Sequence, residues 1–377
     1  MKLIYFTPKR FKFFSADNSY VLQLAEGFRK ILGDDLIFVF LDKEEDALKG
    51  FNSVNLDLGS IGKSKKLNFF WPYLYLIFWT PFFLIKRKLR DRENVFFLGD
   101  SRLMLILILW KKLLRYDFRI CADWHMFFDN RLNRFVVRRV DHSITTSVKL
   151  KNFIIDKSGV RPESVSVVYG GTAIAGQADK DKTALREALG LPAEKKLVGY
   201  VGLFTTMGME KGLDTMIKSL PLLDESYVMV LVGARGNEAE KYLKLADELG
   251  VRDRCVIVRM KREIEAVYDY QRAMDVLAIP YPDKAHFRDY GFPMKVYDYM
   301  AARRPIIYSK LEMAEEVIAD YGCSFKPDDP ADFARALESI FADYHAAQMK
   351  ADRAHQAVKE FSWEKKCEKI IKFVSIN

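Results

Sequence analysis

Two hydrophobic patterns alternate along the first half of this chain. Short continuous apolar runs predict buried strands, and longer stretches with an apolar residue every three or four positions predict helices that cover a sheet. The predicted strands are 2–6, 36–40, 95–98, 119–122 and 142–147, and the predicted helices are 20–32, 102–114 and 131–140. Apolar strands separated by helices indicate a parallel sheet that is buried on both faces.

The second half repeats the alternation. Its predicted strands are 197–202, 227–233, 255–258, 275–280 and 305–309, and its predicted helices are 211–223, 238–250, 264–274 and 313–322. The polar, charged stretch 170–196 between the halves is the predicted linker. We therefore predict an α/β protein with two doubly wound, Rossmann-like domains facing a cleft at the carboxyl ends of their strands, the first at 1–172 and the second at 173–359.

Charge is distributed unevenly over these halves. Up to Gly170 the chain has 29 Lys and Arg against 18 Asp and Glu, whereas the remainder has 31 against 33. A basic first domain favours an anionic partner, such as a lipid headgroup, a phosphorylated substrate or nucleic acid. The four scattered cysteines show no metal-ligand spacing and are expected to be reduced cytosolic thiols, and the apolar run at the N-terminus is too short for a signal peptide.

An apolar segment in the first half, Leu67–Ile85, has 19 residues without a charge and is rich in aromatic residues. A helix of this length would be about 28 Å long, close to the thickness of a bilayer core. A membrane span would separate strands 2–6 and 95–98, which should share one sheet, and basic residues flank the segment on both sides. We expect a helix that lies on a membrane surface, with a core helix of the first domain as the alternative.

A candidate phosphate-binding loop follows the first strand of the second domain. In "GYVGLFTTMGMEKGLD" (199–214) a strand ends at Gly202, and a helix begins near Lys211 and Gly212. Small residues let backbone N–H groups approach a ligand, and a helix N-terminus favours an anion. An ordinary turn with a solvated lysine would give the same pattern, so this loop needs support from elsewhere in the chain.

The stretch "GFPMKVYDYMAARRPII" (291–307) supplies that support. Pro293 suits the first turn of a helix, and the N–H groups of the next residues would be free to meet an anion. Lys295 opposes the helix dipole at this position, which makes sense if an anion lies in front of it. Asp298, one turn later on the same face, could accept hydrogen bonds from a ribose, or could form an ion pair with Lys295.

With these segments in order, the chain resembles the GT-B glycosyltransferases of family 4 over nearly all its length. The segments that carry the resemblance are "HSITTSVKLKNFIIDKSGVRPESVSVVYGGT", "YVGLFTTMGMEKGLDTMI", "VMVLVGARGNEAEKYLKLADELGVRDRCVIV", "AVYDYQRAMDVLAIPYP", "PMKVYDYMAARRPII" and "EFSWEKKCEKI". The resemblance implies a nucleotide-diphospho-sugar donor held by the second domain, transfer with retention of anomeric configuration, and a final helix at 360–377 that returns to the first domain.

The resemblance also implies roles for particular residues. Lys211 would contact the diphosphate, Asp298 the ribose, and His125, in "ADWHMFFDN" with Asp123 and Asp129 as weaker neighbours, the donor sugar. The residues expected to contact the donor are Gly202, Leu203, Phe204, Thr205, Thr206, Gly233, Met260, Tyr290, Gly291, Phe292, Pro293, Met294 and Lys295. Tyr290 stands where the family usually has an acid, and the arginine common after the phosphate-loop strand is absent, so the lysines would neutralise the leaving group.

These patterns together favour a metal-independent glycosyltransferase without a cofactor, which is cytoplasmic and peripherally bound to an anionic membrane through 67–92. Its acceptor would be a lipid-linked glycan or another cell-surface polysaccharide. The alternatives are a sugar-nucleotide epimerase or phosphorylase of the same fold, a catalytically inactive scaffold, and a basic protein that binds membranes or nucleic acid. The chain has no nucleic-acid recognition motif, so we do not expect a nucleic-acid partner.

Overall fold

The computed structural model describes residues 1–8, 16–41, 50–56, 58, 65–173, 180–261, 263–290 and 294–376. The chain divides into two compact units. Unit 1 comprises Met1–Gly171 and Trp363–Asn377, and unit 2 comprises Thr172–Ser362. The final helix of the chain therefore packs in the first unit, although it follows the second unit in sequence.

Unit 1 is built on a parallel sheet with helices on both faces. Within the described residues its strands are β1 (Lys2–Phe6), β2 (Leu36–Phe40), β3 (Ser53–Asn55), β4 (Asn94–Leu98), β5 (Arg119–Trp124), β6 (His142–Thr145) and β7 (Val165–Val167). The helices are α1 (Ala16–Leu32), α2 (Lys65–Lys86), α3 (Ser101–Leu113), α4 (Arg131–Val137), α5 (Val148–Ser158) and, at the end of the chain, α14 (Trp363–Ser375). The strand order β3-β2-β1-β4-β5-β6-β7 is that of a doubly wound sheet.

Unit 2 repeats this architecture. Its described strands are β8 (Lys196–Val201), β9 (Thr205–Thr206), β10 (Met209–Glu210), β11 (Tyr227–Ala234), β12 (Cys255–Arg259), β13 (Val276–Ile279), β14 (Ile306–Ser309) and β15 (Cys323–Phe325). Its helices are α6 (Lys182–Ala188), α7 (Leu213–Ser219), α8 (Glu238–Glu248), α9 (Ile264–Ala273), α10 (Lys295–Ala301), α11 (Glu312–Ile318), α12 (Pro330–Ala342) and α13 (Tyr344–Ala357). The main sheet has the order β12-β11-β8-β13-β14-β15, again doubly wound, so the predicted fold class is confirmed.

The predicted linker was wrong in its second half, because that part of the chain folds into unit 2. Asp181 caps the amino end of α6 by accepting from the Ala184 N–H at 2.9 Å. The buried guanidinium of Arg186 donates to the Asp275 carboxylate at 2.6 Å and to the Ala273 carbonyl at 2.9 Å. These bonds fix α6 against the strand that begins at Val276, so a polar segment becomes part of the core.

The apolar segment forms helix α2, which has a buried side and an exposed side. Leu76, Phe83 and Leu84 are buried in the core on one face of the unit 1 sheet. Phe78 and Phe82 are the most exposed of its aromatic residues, at 66% and 73%. The segment is therefore not wholly a core helix, and its outer side has the aromatic character that the sequence led us to expect.

By length and composition α2 is also the one helix in the described parts of the chain that could cross a membrane. Its place in the topology argues against a span. It connects β3 to β4, which belong to the same parallel sheet, and β4 pairs directly with β1. A span would require two strands of that sheet to lie on opposite sides of the bilayer.

Candidate functional site

The candidate site of unit 2 is built where strand β8 ends. Gly202 follows this strand with a φ of 141°, and a Cβ atom there would lie 1.8 Å from the Lys295 Nζ. Gly233 likewise approaches the Gly202 carbonyl, because its Cβ would lie 2.1 Å from that oxygen. Each of the two positions therefore needs a residue without a side chain, and Lys295 fills the space beside the loop.

The loop after Gly202 is a small hairpin. Strands β9 and β10 pair across Met207 and Gly208, which both have positive φ angles, as a two-residue turn of this kind requires. Glu238 holds it from the side, accepting from the Thr205 hydroxyl at 2.9 Å and from the Arg235 N–H at 2.7 Å. The loop therefore has a defined shape, with Leu203, Thr205 and Thr206 partly exposed.

Lys211 follows this hairpin and is almost fully buried, with 9% of its surface exposed. Burial, and after it the ammonium of Lys295, lowers the pKa of Lys211 to about 7. Gly212 comes next with a φ of 75°, and a Cβ there would lie 1.8 Å from the Pro280 carbonyl oxygen. Helix α7 begins at Leu213, so the lysine sits in the tight turn before a helix.

Lys295 is the second cation of the site. Burial lowers its pKa to about 8, against the opposing effect of Asp298, and its Nζ lies 5.0 Å from the centre of the Tyr200 ring. Among the residues that the structure describes, no carboxylate lies within 4.0 Å of the Nζ of Lys211 or Lys295. Two cations that are both removed from water, one of them close enough to lower the pKa of the other, form an arrangement suited to an anion.

Asp298 is half-buried on helix α10, one turn after Lys295. Its carboxylate accepts a hydrogen bond from the Thr172 hydroxyl at 2.7 Å. Burial raises the pKa of Asp298, and the Thr172 hydroxyl and Lys295 act in the opposite direction. The alternative of a close ion pair with Lys295 does not occur in this described part of the chain, so the carboxylate keeps an oxygen for another donor.

The remaining predicted positions of unit 2 differ in their accessibility. The Phe204 side chain is fully buried against Tyr200 and Tyr242, so only its backbone could meet a ligand. The Met260 Sδ accepts from the Arg235 Nε at 3.2 Å after strand β12. Tyr290 ends a π-helical turn, His286–Tyr290, and Met294 precedes helix α10. The predicted residues Gly291, Phe292 and Pro293 lie outside the described residues, and so does the Tyr290 side chain.

Three contacts at this site were not expected from the sequence. The first is the hydrogen bond from Thr172 to Asp298, and the second is the hydrogen bond from Thr205 of the hairpin to Glu238. The third is the proximity of His286 to Lys211, since burial and then Lys211 lower the pKa of His286. The first two join residues 126 and 33 positions apart, and the hydrophobic periodicity of the sequence does not predict contacts between such distant residues. His286 follows strand β13 and could have been suspected from its place at a strand's carboxyl end.

His125 belongs to unit 1, at the carboxyl end of strand β5. The half-exposed ring places Nε2 3.2 Å from the Asp123 Oδ2, and the Tyr20 hydroxyl donates to the same oxygen at 3.0 Å. Asp123 is buried, and its pKa is held below the usual value by His125 and Lys366, which outweigh the raising effect of burial. Asp123 thus orients His125, whereas Asp129 is occupied by an ion pair with Arg134.

A cavity of about 760 Å³ in unit 1 contains none of these residues. His142 and Arg92 line it, at the ends where strands β6 and β4 begin, and Phe373 of α14 adds an aromatic wall. His125 follows a strand's carboxyl end, so the cavity lies at the opposite edge of the sheet. No group of three or more His, Cys, Asp or Glu side chains that could hold a metal ion is found in the parts of the chain described.

Comparisons with known proteins fit this geometry. Residues 195–343 match the family of glycosyl transferases group 1. The D-inositol 3-phosphate glycosyltransferase of Xylanimonas cellulosilytica is 29% identical over 188 residues, covering 48% of this chain and 43% of that protein. The chain thus spans about half the length of the curated relatives that it matches.

Solved structures match over the whole chain. HepE from Anabaena, in complex with UDP, superposes with a TM-score of 0.76 at 16% identity and full coverage of both chains. The lipopolysaccharide outer core galactosyltransferase WaaB superposes with a TM-score of 0.73 at 15% identity, covering 100% of this chain and 99% of WaaB. At such identities the likeness establishes the fold. Residues 195–343 therefore resemble the group 1 glycosyl transferases, and the chain as a whole has the GT-B fold with two doubly wound parallel sheets.

Proposed function

We propose that the protein transfers a sugar from a nucleotide-diphospho-sugar to a hydroxyl of a lipid-linked glycan or other cell-surface polysaccharide, with retention of anomeric configuration. The bond between the anomeric carbon and the phosphate oxygen breaks, and the acceptor oxygen forms the new bond to that carbon. Negative charge therefore builds on the leaving phosphate, and the site must stabilise it.

The observation that carries this proposal is the pair of buried lysines beside Gly202. Burial lowers the pKa of both lysines, Lys295 lowers the pKa of Lys211 further, and among the described residues neither ammonium has a carboxylate within 4.0 Å. A diphosphate would supply the missing negative charge, and it would raise the pKa of both lysines. Charge of this kind can replace a divalent ion, so the proposed reaction is independent of metal.

The other residues have proposed roles around this pair. Asp298 would accept hydrogen bonds from the ribose hydroxyls, with Thr172 holding its carboxylate in place. His125 would contact the donor sugar, with Asp123 fixing its ring. The backbone of residues 202–206 would provide N–H groups to the phosphates, because the glycine at 202 lets a ligand approach closely.

The named relatives support the choice of donor and acceptor classes. HepE was crystallised with UDP, and WaaB is a lipopolysaccharide outer core galactosyltransferase. We therefore propose a uridine nucleotide as the first donor to test, and a membrane-bound acceptor. The protein would be cytoplasmic and peripherally attached to an anionic membrane through residues 67–92, whose outer aromatic side chains are exposed.

The test is binding and turnover with the full-length protein. A thermal-shift screen of UDP-sugars and GDP-sugars should give one nucleotide class that raises the melting temperature. Lys211→Ala should abolish that shift, and Asp298→Ala should weaken it, while Lys244→Ala, an exposed lysine on α8, should leave it unchanged. The proposal fails if no nucleotide sugar binds, or if Lys211→Ala and Asp298→Ala both keep full activity, as expected for an inactive scaffold.

Product analysis separates the transferase from the alternatives of the same fold. Incubation with donor alone should release nucleotide diphosphate slowly, and the rate should rise when the acceptor is added. An epimerase would instead convert the donor sugar without release of nucleotide. Proton NMR of the glycoside then reports the anomeric configuration, and inversion would contradict the proposed retention.

A further inference from the structure

Two neighbouring helices of unit 1 expose apolar side chains in regular stripes. On α2 the stripe is Phe70, Leu74, Phe78, Phe82 and Ile85, with exposures between 51% and 73%. On α3 it is Leu105, Leu109 and Leu113, with exposures between 39% and 60%. The spacing of three or four residues places each set along one side of its helix. We call the two stripes together the α2–α3 platform.

The two stripes lie side by side. Helix α2 connects β3 to β4, and α3 connects β4 to β5, so both connections cross the sheet in the same direction. Because such crossovers are right-handed, both helices cover the same face of the unit 1 sheet. The Trp110 Nε1 of α3 donates to the Ile77 carbonyl of α2 at 2.8 Å. Near the other end, the Arg102 guanidinium lies 4.8 Å from the centre of the Phe69 ring. These two contacts hold α2 and α3 side by side, so the two apolar stripes form one continuous surface.

The charge around the platform is strongly positive. Residues 65–115 contain eleven Lys and Arg against three Asp and Glu, a balance of +8 in a chain whose net charge is +9. Exposed cations lie at the carboxyl ends of both helices: Arg87 follows α2, Lys112 is in the last turn of α3, and Arg115 follows α3. These two ends adjoin, since the Asp117 N–H donates to the Arg90 carbonyl at 2.7 Å. Neither helix contains an acidic residue.

We propose that the α2–α3 platform lies in the surface of an anionic lipid bilayer. Its apolar stripes would enter the boundary between headgroups and acyl chains, and the cations at the helix ends would meet the phosphates. Lipid is the partner that this charge selects, because a second copy of the chain would bring the same positive surface to the contact. The inference rests on the proposed function for its lipid-linked acceptor, and it adds α3 and a mode of binding that does not cross the membrane.

The test is flotation of the full-length protein with vesicles of phosphatidylcholine, with and without phosphatidylglycerol. The wild type should float with the anionic vesicles and should be released by salt. Phe78→Ser/Phe82→Ser and Leu109→Ser/Leu113→Ser should each lower the bound fraction about tenfold, since each removes two exposed apolar side chains. The matched control Leu222→Ser/Leu249→Ser, at exposed positions of unit 2, should change it less than about twofold.

The cations have their own variants. Lys112→Gln/Arg115→Gln should weaken binding to anionic vesicles and reduce its dependence on salt, whereas Lys244→Gln/Lys310→Gln in unit 2 should do neither. The proposal is overturned if the α3 variants bind like the wild type, if neutral vesicles bind equally well, or if alkaline carbonate fails to extract the protein. It is also overturned if the Ser variants abolish a dimer instead of lipid binding.

Failure of this inference can be told apart from failure of the proposed function. Every variant above leaves the lysine site in unit 2 unchanged, so the thermal shift caused by the nucleotide should persist in all of them. Loss of lipid binding with an intact thermal shift supports the platform. A wild-type protein that binds vesicles but no nucleotide sugar would contradict the proposed transferase function and would still support the membrane-binding role of the α2–α3 platform.

Discussion

Lys211 and Lys295 show how a residue's surroundings can prepare it for a ligand. In the ligand-free protein their pKa values are lowered to about 7 and about 8. A bound diphosphate would favour the charged form of each lysine and raise both values, so we expect binding to take up protons. The lysines contribute their full share of the binding free energy at a pH below their ligand-free pKa values. That contribution is lost as the pH rises from the ligand-free pKa values through the higher pKa values of the complex.

The expected result is that UDP binds more weakly at each step between about pH 7 and pH 9, by up to about tenfold per pH unit for each titrating lysine. Isothermal titration calorimetry in two buffers of different ionisation enthalpy measures both the affinity and the proton uptake. Lys211→Met serves as the comparison, because it should bind weakly with a smaller pH slope. A wild-type affinity that is constant over this range would contradict the linkage.

Gly202 permits a second test at the scale of one residue. In Gly202→Ala the new methyl group would overlap the Lys295 Nζ, and the φ of 141° strains any residue with a side chain. We expect nucleotide affinity to fall at least about tenfold and stability to fall by about 1–3 kcal/mol. Titration of UDP by calorimetry and urea denaturation measure the two effects.

The control for this variant is Gly236→Ala. Gly236 also has a positive φ, of 53°, but a Cβ there would meet nothing within 4 Å. Some loss of stability is expected from the backbone alone, while nucleotide affinity should stay as in the wild type. Equal losses of affinity in both variants would mean that the space beside Lys295 is not what matters.

At the scale of elements, an internal proline explains how α2 and α3 are joined. Pro81 has no N–H, so the Ile77 carbonyl four residues earlier loses its partner within the helix. The Trp110 indole donates to that carbonyl at 2.8 Å. Trp110→Phe should therefore cost about 1–2 kcal/mol in the free energy of unfolding, because it leaves a carbonyl without a donor.

A double-mutant cycle isolates this bond. Restoring the backbone N–H with Pro81→Ala lets the Ile77 carbonyl bond within α2, so Trp110→Phe should then cost about 1 kcal/mol less than in the wild type. Chemical denaturation of the four proteins measures the coupling. If the tryptophan substitution costs the same in both backgrounds, packing and not the hydrogen bond accounts for its effect.

The elements also show what can be predicted from sequence here. Strands such as β8 and β11 and helices such as α3 were predictable, because their apolar periodicity is local. Helix α6 was missed, since its buried Arg186 finds Asp275 89 residues later. The same limit applies to the site: the lysines stand in recognisable turns, whereas the Thr172 bond to Asp298 joins residues 126 positions apart and has no local signal.

At the scale of the whole molecule, the two units differ in how the chain builds them. Unit 2 is continuous, from Thr172 to Ser362, whereas unit 1 needs the last helix of the chain. Helix α14 packs against α1 so closely that a Cβ at Gly27 would lie 2.7 Å from the Cys367 Sγ. The buried Lys366 donates to the Val168 carbonyl at 2.8 Å, and its charge lowers the pKa of Asp123 beneath His125.

This difference predicts that the units will not behave alike when separated. A protein of residues 172–362 should fold cooperatively and bind UDP, since it holds both lysines and Asp298. Residues 1–171 alone should stay unfolded or aggregate, because removing α14 exposes the buried face of α1 and leaves Asp123 without the charge of Lys366. Linking residues 363–376 to the first fragment should restore its fold, as measured by circular dichroism and by a sharp thermal transition. A fragment 1–171 that folds as stably as the linked form would show that α14 is an accessory to unit 1, and not a part of its core.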